Sequence, residues 1–110
     1  MKGLQGKVAI VTGSGSGIGK AIAERLAAEG CVVGVFDLNA ESAEQTCQAI
    51  GTSKGRAYSF AVDITDLAAV KKAVEELERR VGPIDIRVNN AGGDKAAPFL
   101  GSTPELWKKI

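Results

Sequence analysis

Histidine is absent from this 110-residue chain, tryptophan and tyrosine occur once each, and aromatic residues make up only 5% of it. Without imidazole, the commonest general base and the commonest metal ligand are both missing, which excludes histidine-dependent triads and most zinc hydrolases. An excess of charge of one sign is lacking too. The 14 Lys and Arg against 13 Asp and Glu leave a formal net charge of +1, which argues against a nucleic-acid binder or a protein held on an acidic membrane surface. Cys31 and Cys47 are the two cysteines and show no C-x-x-C spacing. Neither a zinc site nor a disulfide scaffold is indicated, and both read as small buried hydrophobes. No apolar run approaches the ~18 residues needed to cross a bilayer, and Met1-Lys2-Gly3-Leu4-Gln5 lacks the apolar stretch of a secretory signal. The expectation is a cytoplasmic protein.

What the chain does have is ordinary globular composition, 45% hydrophobic and 25% charged, enough for one domain or part of one. Val8-Ala9-Ile10-Val11 is a continuous apolar run ending in Thr12-Gly13, the pattern of a strand covered on both faces by helices. After the glycines, Ile18, Ala21, Ile22, Leu26 and Ala27 recur at helical spacing, and Gly30 stops the helix. A second β-rich run over residues 31–36 ends at Asp37. Asn39 then caps a helix whose inner face is Ala40, Ala43, Cys47 and Ile50. Residues 51–55 read as a loop and residues 56–62 as a third strand, ended by Asp63. Leu67, Val70, Val74, Leu77 and Val81 form the inner stripe of the next helix, which Gly82-Pro83 terminates. Residues 84–88 read as a fourth strand leading into Asn89-Asn90-Ala91-Gly92, and Ser102-Thr103-Pro104-Glu105 opens a last helix. Strands alternating with helices predict an α/β fold, a doubly wound parallel sheet in the order 3-2-1-4. Residues 1–110 then form a partial Rossmann dinucleotide-binding domain, with its ligand crevice at the C-terminal ends of the strands.

Thr12-Gly13-Ser14-Gly15-Ser16-Gly17-Ile18-Gly19 joins the first strand to the first helix. Residues without Cβ atoms turn tightly there and admit a pyrophosphate close to the backbone, while the helix N-terminus supplies N–H groups and a positive dipole end. Asp37 lies 18 residues beyond Gly19, the spacing at which an acidic side chain accepts hydrogen bonds from the adenosine ribose. A carboxylate there repels a 2′-phosphate, and neither Ser16 nor Leu38 offers a compensating cation, so the expected cofactor is NAD rather than NADP.

Through Thr12-Gly13-x-x-x-Gly17-Ile18-Gly19, Asp63 and Asn89-Asn90-Ala91-Gly92, the sequence resembles the short-chain dehydrogenase/reductase family over essentially all its length. The resemblance implies that Gly13, Ser16, Gly17, Ile18 and Gly19 cradle the pyrophosphate and that Asp37 and Leu38 flank the adenosine ribose. It implies that Asp63 and Ile64 meet the adenine. Asn90, Ala91 and Gly92 are implied to line the ribose side and brace the sheet centre, with Asn89 structural. Read from the residues alone, Asp63 is equally a helix cap and the asparagine pair a loop turn. The family likeness further implies an oxidoreductase passing hydride between NAD(H) and a secondary alcohol or ketone. The stretch Gly92-Gly93-Asp94 with Pro98-Phe99 looks most like members acting on hydroxyacyl or cyclic alcohol substrates.

Family members work with a Ser, a Tyr and a Lys in the second half of a chain more than twice this length. Here Tyr58 is followed four residues later by Val62, so there is no Tyr-x-x-x-Lys, and Tyr58 reads as packing. The expectation is a truncated cofactor-binding half with no catalytic residues of its own, binding cofactor weakly, if at all, and inactive as this chain alone. The alternatives are a non-catalytic dinucleotide-binding module or an inactive fragment. A small-molecule substrate is expected only with a C-terminal half, and nucleic-acid or membrane partners are not. Arg87 sits in the fourth strand, where the family pattern has an aliphatic residue. It either reaches solvent and blunts an exposed edge or marks a sequence that folds poorly. Self-association of two chains through that edge, or through Leu106, Trp107 and Ile110, is expected.

Overall fold

A computed structural model describes residues 2–90. After a 3-10 turn at Lys2–Leu4 come β1 (Val8–Thr12), α1 (Gly17–Ala28), β2 (Val32–Asp37), α2 (Ala40–Thr52), β3 (Arg56–Ala61), α3 (Leu67–Val81) and β4 (Ile86–Val88). The four strands are parallel and lie in the order β3-β2-β1-β4, as the alternation of elements predicts. Ala91, Gly92 and the last helix expected from Ser102 lie outside the described residues.

The continuous apolar runs have a simple cause: each strand face meets a helix layer. Ala9 and Val11 of β1 join Val33 and Val35 of β2 beneath Ala23 and Leu26 of α1 and Ala43 and Ile50 of α2. On the opposite face Val8, Ile10 and Phe36 pack against Val70, Ala73 and Leu77 of α3. Every residue of β1 is buried, so alternation by type is lost while alternation by direction persists. Burying a side chain such as Leu77 or Ile10 contributes about 1.5–3 kcal/mol. The register sets Thr12 opposite Phe36 and Asp37 opposite Ala61, which brings the strand ends that carry the glycines and Asp37 to one edge of the sheet.

Several local boundaries differ from the sequence expectation. α2 runs through Gly51 to Thr52, whose hydroxyl donates to the Gln48 carbonyl at 2.9 Å, so residues 51 and 52 are helix rather than loop. Its inner face is Ala43, Thr46 and Ile50; Ala40 is exposed and Cys47 half-buried, because the packing stripe is rotated toward Thr46. Leu67 is 60% exposed, since the first turn of α3 starts outside the sheet, and the stripe continues through Ala73 instead. β4 begins at Ile86 because the Asp85 side chain occupies the pairing position before it. Asp85 Oδ2 accepts from Val8 N at 2.9 Å, while Asp85 N donates to the Val8 carbonyl at 2.8 Å. Arg87 is half-buried and engaged with neighbours, so the unpaired guanidinium weighed from sequence does not arise. Among the described residues, no helix is long and apolar enough to cross a membrane.

Candidate functional site

The turn after β1 is built on backbone that only glycine adopts cheaply. Gly13 and Gly17 sit at φ +62° and +59°, a region that costs other residues roughly 1–2 kcal/mol. Between them Ser14 is buried: its N–H donates to the Phe36 carbonyl at 3.3 Å and its hydroxyl to the Val11 carbonyl at 2.6 Å. The β1–β2 pairing therefore continues into the turn.

α1 opens differently from the other two helices. Asn39 caps α2 by accepting from Ser42 N at 2.8 Å, and Asp66 caps α3 by accepting from Ala69 N at 3.1 Å. Ser16, at the same position of α1, is extended and makes no capping hydrogen bond, and no acidic residue lies in the first turn. The opening amides of α1 thus have no capping side chain and no acidic residue in their own first turn, which leaves N–H groups and a positive dipole end available to an anion. Ser16, Gly17 and Ile18 are exposed around it.

Gly19 is required by space. A Cβ there would fall directly on the Gly13 carbonyl oxygen and 2.7 Å from Asn90 Nδ2. Asn90 Nδ2 donates to that same Gly13 carbonyl at 3.2 Å, and Asn90 N donates to the Thr12 hydroxyl at 2.9 Å. Thr12 in turn donates to Asn89 Oδ1 at 3.2 Å. Gly13, Gly19 and Asn90, all expected from sequence, are therefore brought into one knot, with Asn89 and Asn90 tying the end of β4 to the end of β1.

Asp37 ends β2 and is half-buried. Its Oδ2 accepts from Gly15 N at 2.8 Å and its Oδ1 from Asn39 N at 2.9 Å. A carboxylate offers about four lone-pair positions, so it keeps capacity for the hydroxyls of a ligand. Leu38 beside it and Ile18 on α1 are 74% and 73% exposed, two of the three large hydrophobics exposed among the described residues. Asp63 is exposed just beyond β3 and does not cap α3; that role is taken by Asp66. Instead Asp63 Oδ1 accepts from the Thr65 hydroxyl at 2.6 Å and from Thr65 N at 2.9 Å, and these bonds, the hydroxyl's first, hold its carboxyl below the ordinary carboxylate range. Ile64 is half-buried and packs on the α3 side. Both lie further along the row of strand ends. Sequence reasoning missed three supports: Thr12, Ser14 and Gly15. The signal for the first was a lone polar residue closing an apolar strand. Among the described residues no group of three or more His, Cys, Asp or Glu is placed to hold a metal ion.

A parallel α/β sheet in this strand order, with a glycine turn and an uncapped helix start after β1 and a carboxylate on the neighbouring strand end, defines a Rossmann-like fold. A family model described as short chain dehydrogenase matches residues 7–110, and the chain belongs to that family. It is 45% identical over 104 residues to D-threitol dehydrogenase of Mycolicibacterium smegmatis, covering 94% of this chain and 40% of that protein. With sorbitol dehydrogenase of Cereibacter sphaeroides it shares 42% identity over 107 residues, covering 97% of this chain and 41% of that protein. Among solved structures, 7α-hydroxysteroid dehydrogenase complexed with NADH and 7-oxo glycochenodeoxycholic acid is 41% identical with a TM-score of 0.79, covering 82% of this chain and 35% of that one. The chain thus spans about two-fifths of the length of the curated relatives it matches.

Proposed function

We propose that this chain is the cofactor-binding portion of an NAD(H)-dependent short-chain oxidoreductase acting on a secondary alcohol or the corresponding ketone. The observation that carries the reading is the half-buried carboxylate of Asp37 beside an uncapped α1 N-terminus. The residues fit such a cofactor. The α1 opening at Ser16, Gly17, Ile18 and Gly19 suits the diphosphate, and the gap left by the missing Cβ of Gly19 lets the turn close on Asn90. Asp37 offers acceptors to the sugar hydroxyls while opposing a 2′-phosphate, which favours NAD over NADP. Leu38 and Ile18 supply exposed apolar surface, and Asp63 and Ile64, just beyond β3, are the residues that would meet the adenine. Asn90 ties the turn to the end of β1, and Asn90 with Ala91 and Gly92 is read as lining the ribose side of the cofactor.

When bound, the nicotinamide supplies hydride transfer. The chain's own residues bind and orient; its tyrosine, Tyr58, lies in β3 with the Arg80 guanidinium 5.6 Å above its ring, packed rather than poised for proton exchange. A polyol or sterol alcohol as substrate is suggested by the relatives alone. A cytoplasmic location is supported by the free thiols of Cys31 and Cys47. Self-association through the outer side of β4, unpaired among the described residues, belongs to the same reading; sedimentation showing only monomer at high concentration rules it out.

Calorimetric titration of the 110-residue chain with NADH, NADPH and AMP tests the function. NADH binding tighter than NADPH is expected, with no oxidation of secondary alcohols by this chain alone. Equal or tighter NADPH binding overturns the NAD assignment, and an absence of binding by all three overturns the cofactor site.

A further inference from the structure

Gly15, like Gly19, is not among the glycines with positive φ, so a left-handed backbone is not what requires glycine there. The reason is contact. A Cβ there would stand 2.7 Å from Ser42 Cβ, 2.8 Å from Asp37 Oδ2 and 3.0 Å from the Ser42 carbonyl carbon. The turn is pressed onto the first turn of α2, and Gly15 N–H donates to Asp37 Oδ2 at 2.8 Å. The other carboxylate oxygen takes Asn39 N–H at 2.9 Å, and Asn39 caps α2 through Ser42 N. One carboxylate therefore joins three pieces of chain: the turn after β1, the end of β2 and the start of α2.

We propose that Asp37 is a positioning residue for the glycine turn, in addition to any contact it makes with a sugar. By holding Gly15 N–H it fixes the turn in the shape that leaves the α1 amides open, so that sugar recognition and diphosphate binding are energetically coupled. The ligand side of this inference rests on the dinucleotide reading above; the structural side does not. The coupling reverses the sign of a simple electrostatic expectation. If Asp37 acted by charge alone, removing it would strengthen binding of an anion to the neighbouring helix start. If it is a clasp, removing it lowers the population of the binding-competent turn and weakens that binding.

The test uses Asp37→Ala and Asp37→Asn in the 110-residue chain, with 2′,3′-dideoxyadenosine 5′-diphosphate as probe, which keeps a diphosphate but has no 2′- or 3′-hydroxyl for the carboxylate. The alanine variant is expected to bind it about tenfold more weakly, the effect of one lost charge-assisted hydrogen bond. The asparagine variant, keeping one acceptor oxygen, is expected between native and alanine. Unchanged or tighter binding by the alanine variant overturns the proposal. Amide hydrogen exchange without ligand gives a second reading: the Gly15 amide exchanges about tenfold faster in the alanine variant while the β2 amides of Val33 and Val35 do not. Unchanged Gly15 exchange overturns the proposal even if the native chain binds no nucleotide, an outcome that removes the functional reading alone. If the alanine variant loses protection at Val33 and Val35, it has failed to fold, and the asparagine variant carries both measurements.

Discussion

Replacing Gly19 by alanine places a methyl group against the Gly13 carbonyl oxygen and 2.7 Å from both the Gly13 carbonyl carbon and Asn90 Nδ2. None of these atoms gives way easily. Two are backbone, and Asn90 Nδ2 is held by its own bond to Gly13. Overpacking a tight contact costs about 1–3 kcal/mol, and losing the Asn90–Gly13 bond adds about 1 kcal/mol. Together they make about 2–4 kcal/mol, a large part of the ~5–15 kcal/mol that holds a typical domain. At about 4–8 °C per kcal/mol for a chain of this size, melting falls by about 10–30 °C. Gly17→Ala is the matched control, because Gly17 has φ +59° and nothing within 4 Å of a built Cβ. It carries only the conformational cost, about 1–2 kcal/mol. Thermal unfolding of both variants followed by circular dichroism separates the two demands. A Gly19→Ala protein melting within a few degrees of native, or above Gly17→Ala, refutes the packed contact between the turn and Asn90.

Two further outcomes follow from the helices. Asp66→Ala removes the cap of α3 and is expected to lose about 1 kcal/mol in urea unfolding, with a smaller loss for Asp63→Ala, whose carboxylate holds only Thr65. A larger loss at Asp63 reverses the assignment of the cap. Burial, with the Glu44 carboxylate adding to it, pushes the Cys47 thiol up to about 11 from an ordinary 9.0. The folded protein therefore keeps this proton longer than the unfolded chain, and the stability it contributes is full below about pH 9 and lost as pH rises toward about 11. Alkylation of Cys47 at pH 8, followed by peptide mass spectrometry, should run about 100-fold slower than in the urea-unfolded chain; equal rates contradict the burial.

Most of the sheet was legible because β1 and β2 carry no polar side chain before their last residues, Thr12 and Asp37, which happens when both faces are covered, and α3 shows its stripe because only one of its faces is. Positions set by contacts between elements were not legible. Thr46 looks like a surface residue yet is fully buried on α2, and Leu67 looks like core yet precedes the point where α3 meets the sheet. Gly51 looks like a stop signal, but Thr52 keeps the helix going by bonding back to Gln48. The site divides the same way. Gly13 and Gly17 are readable as turn residues and Asp37 by its spacing, whereas Gly15 matters through Ser42 and Asp37, which only the folded chain brings to it.

The Asn90–Gly13 bond spans 77 positions and the Asn90–Thr12 bond 78. The glycine turn lies near the start of the chain, but its brace is supplied by Asn90, two residues past the end of β4. The glycine turn therefore takes its final brace only when β4 lies beside β1, so closing it is a long-range event of the fold rather than a local one.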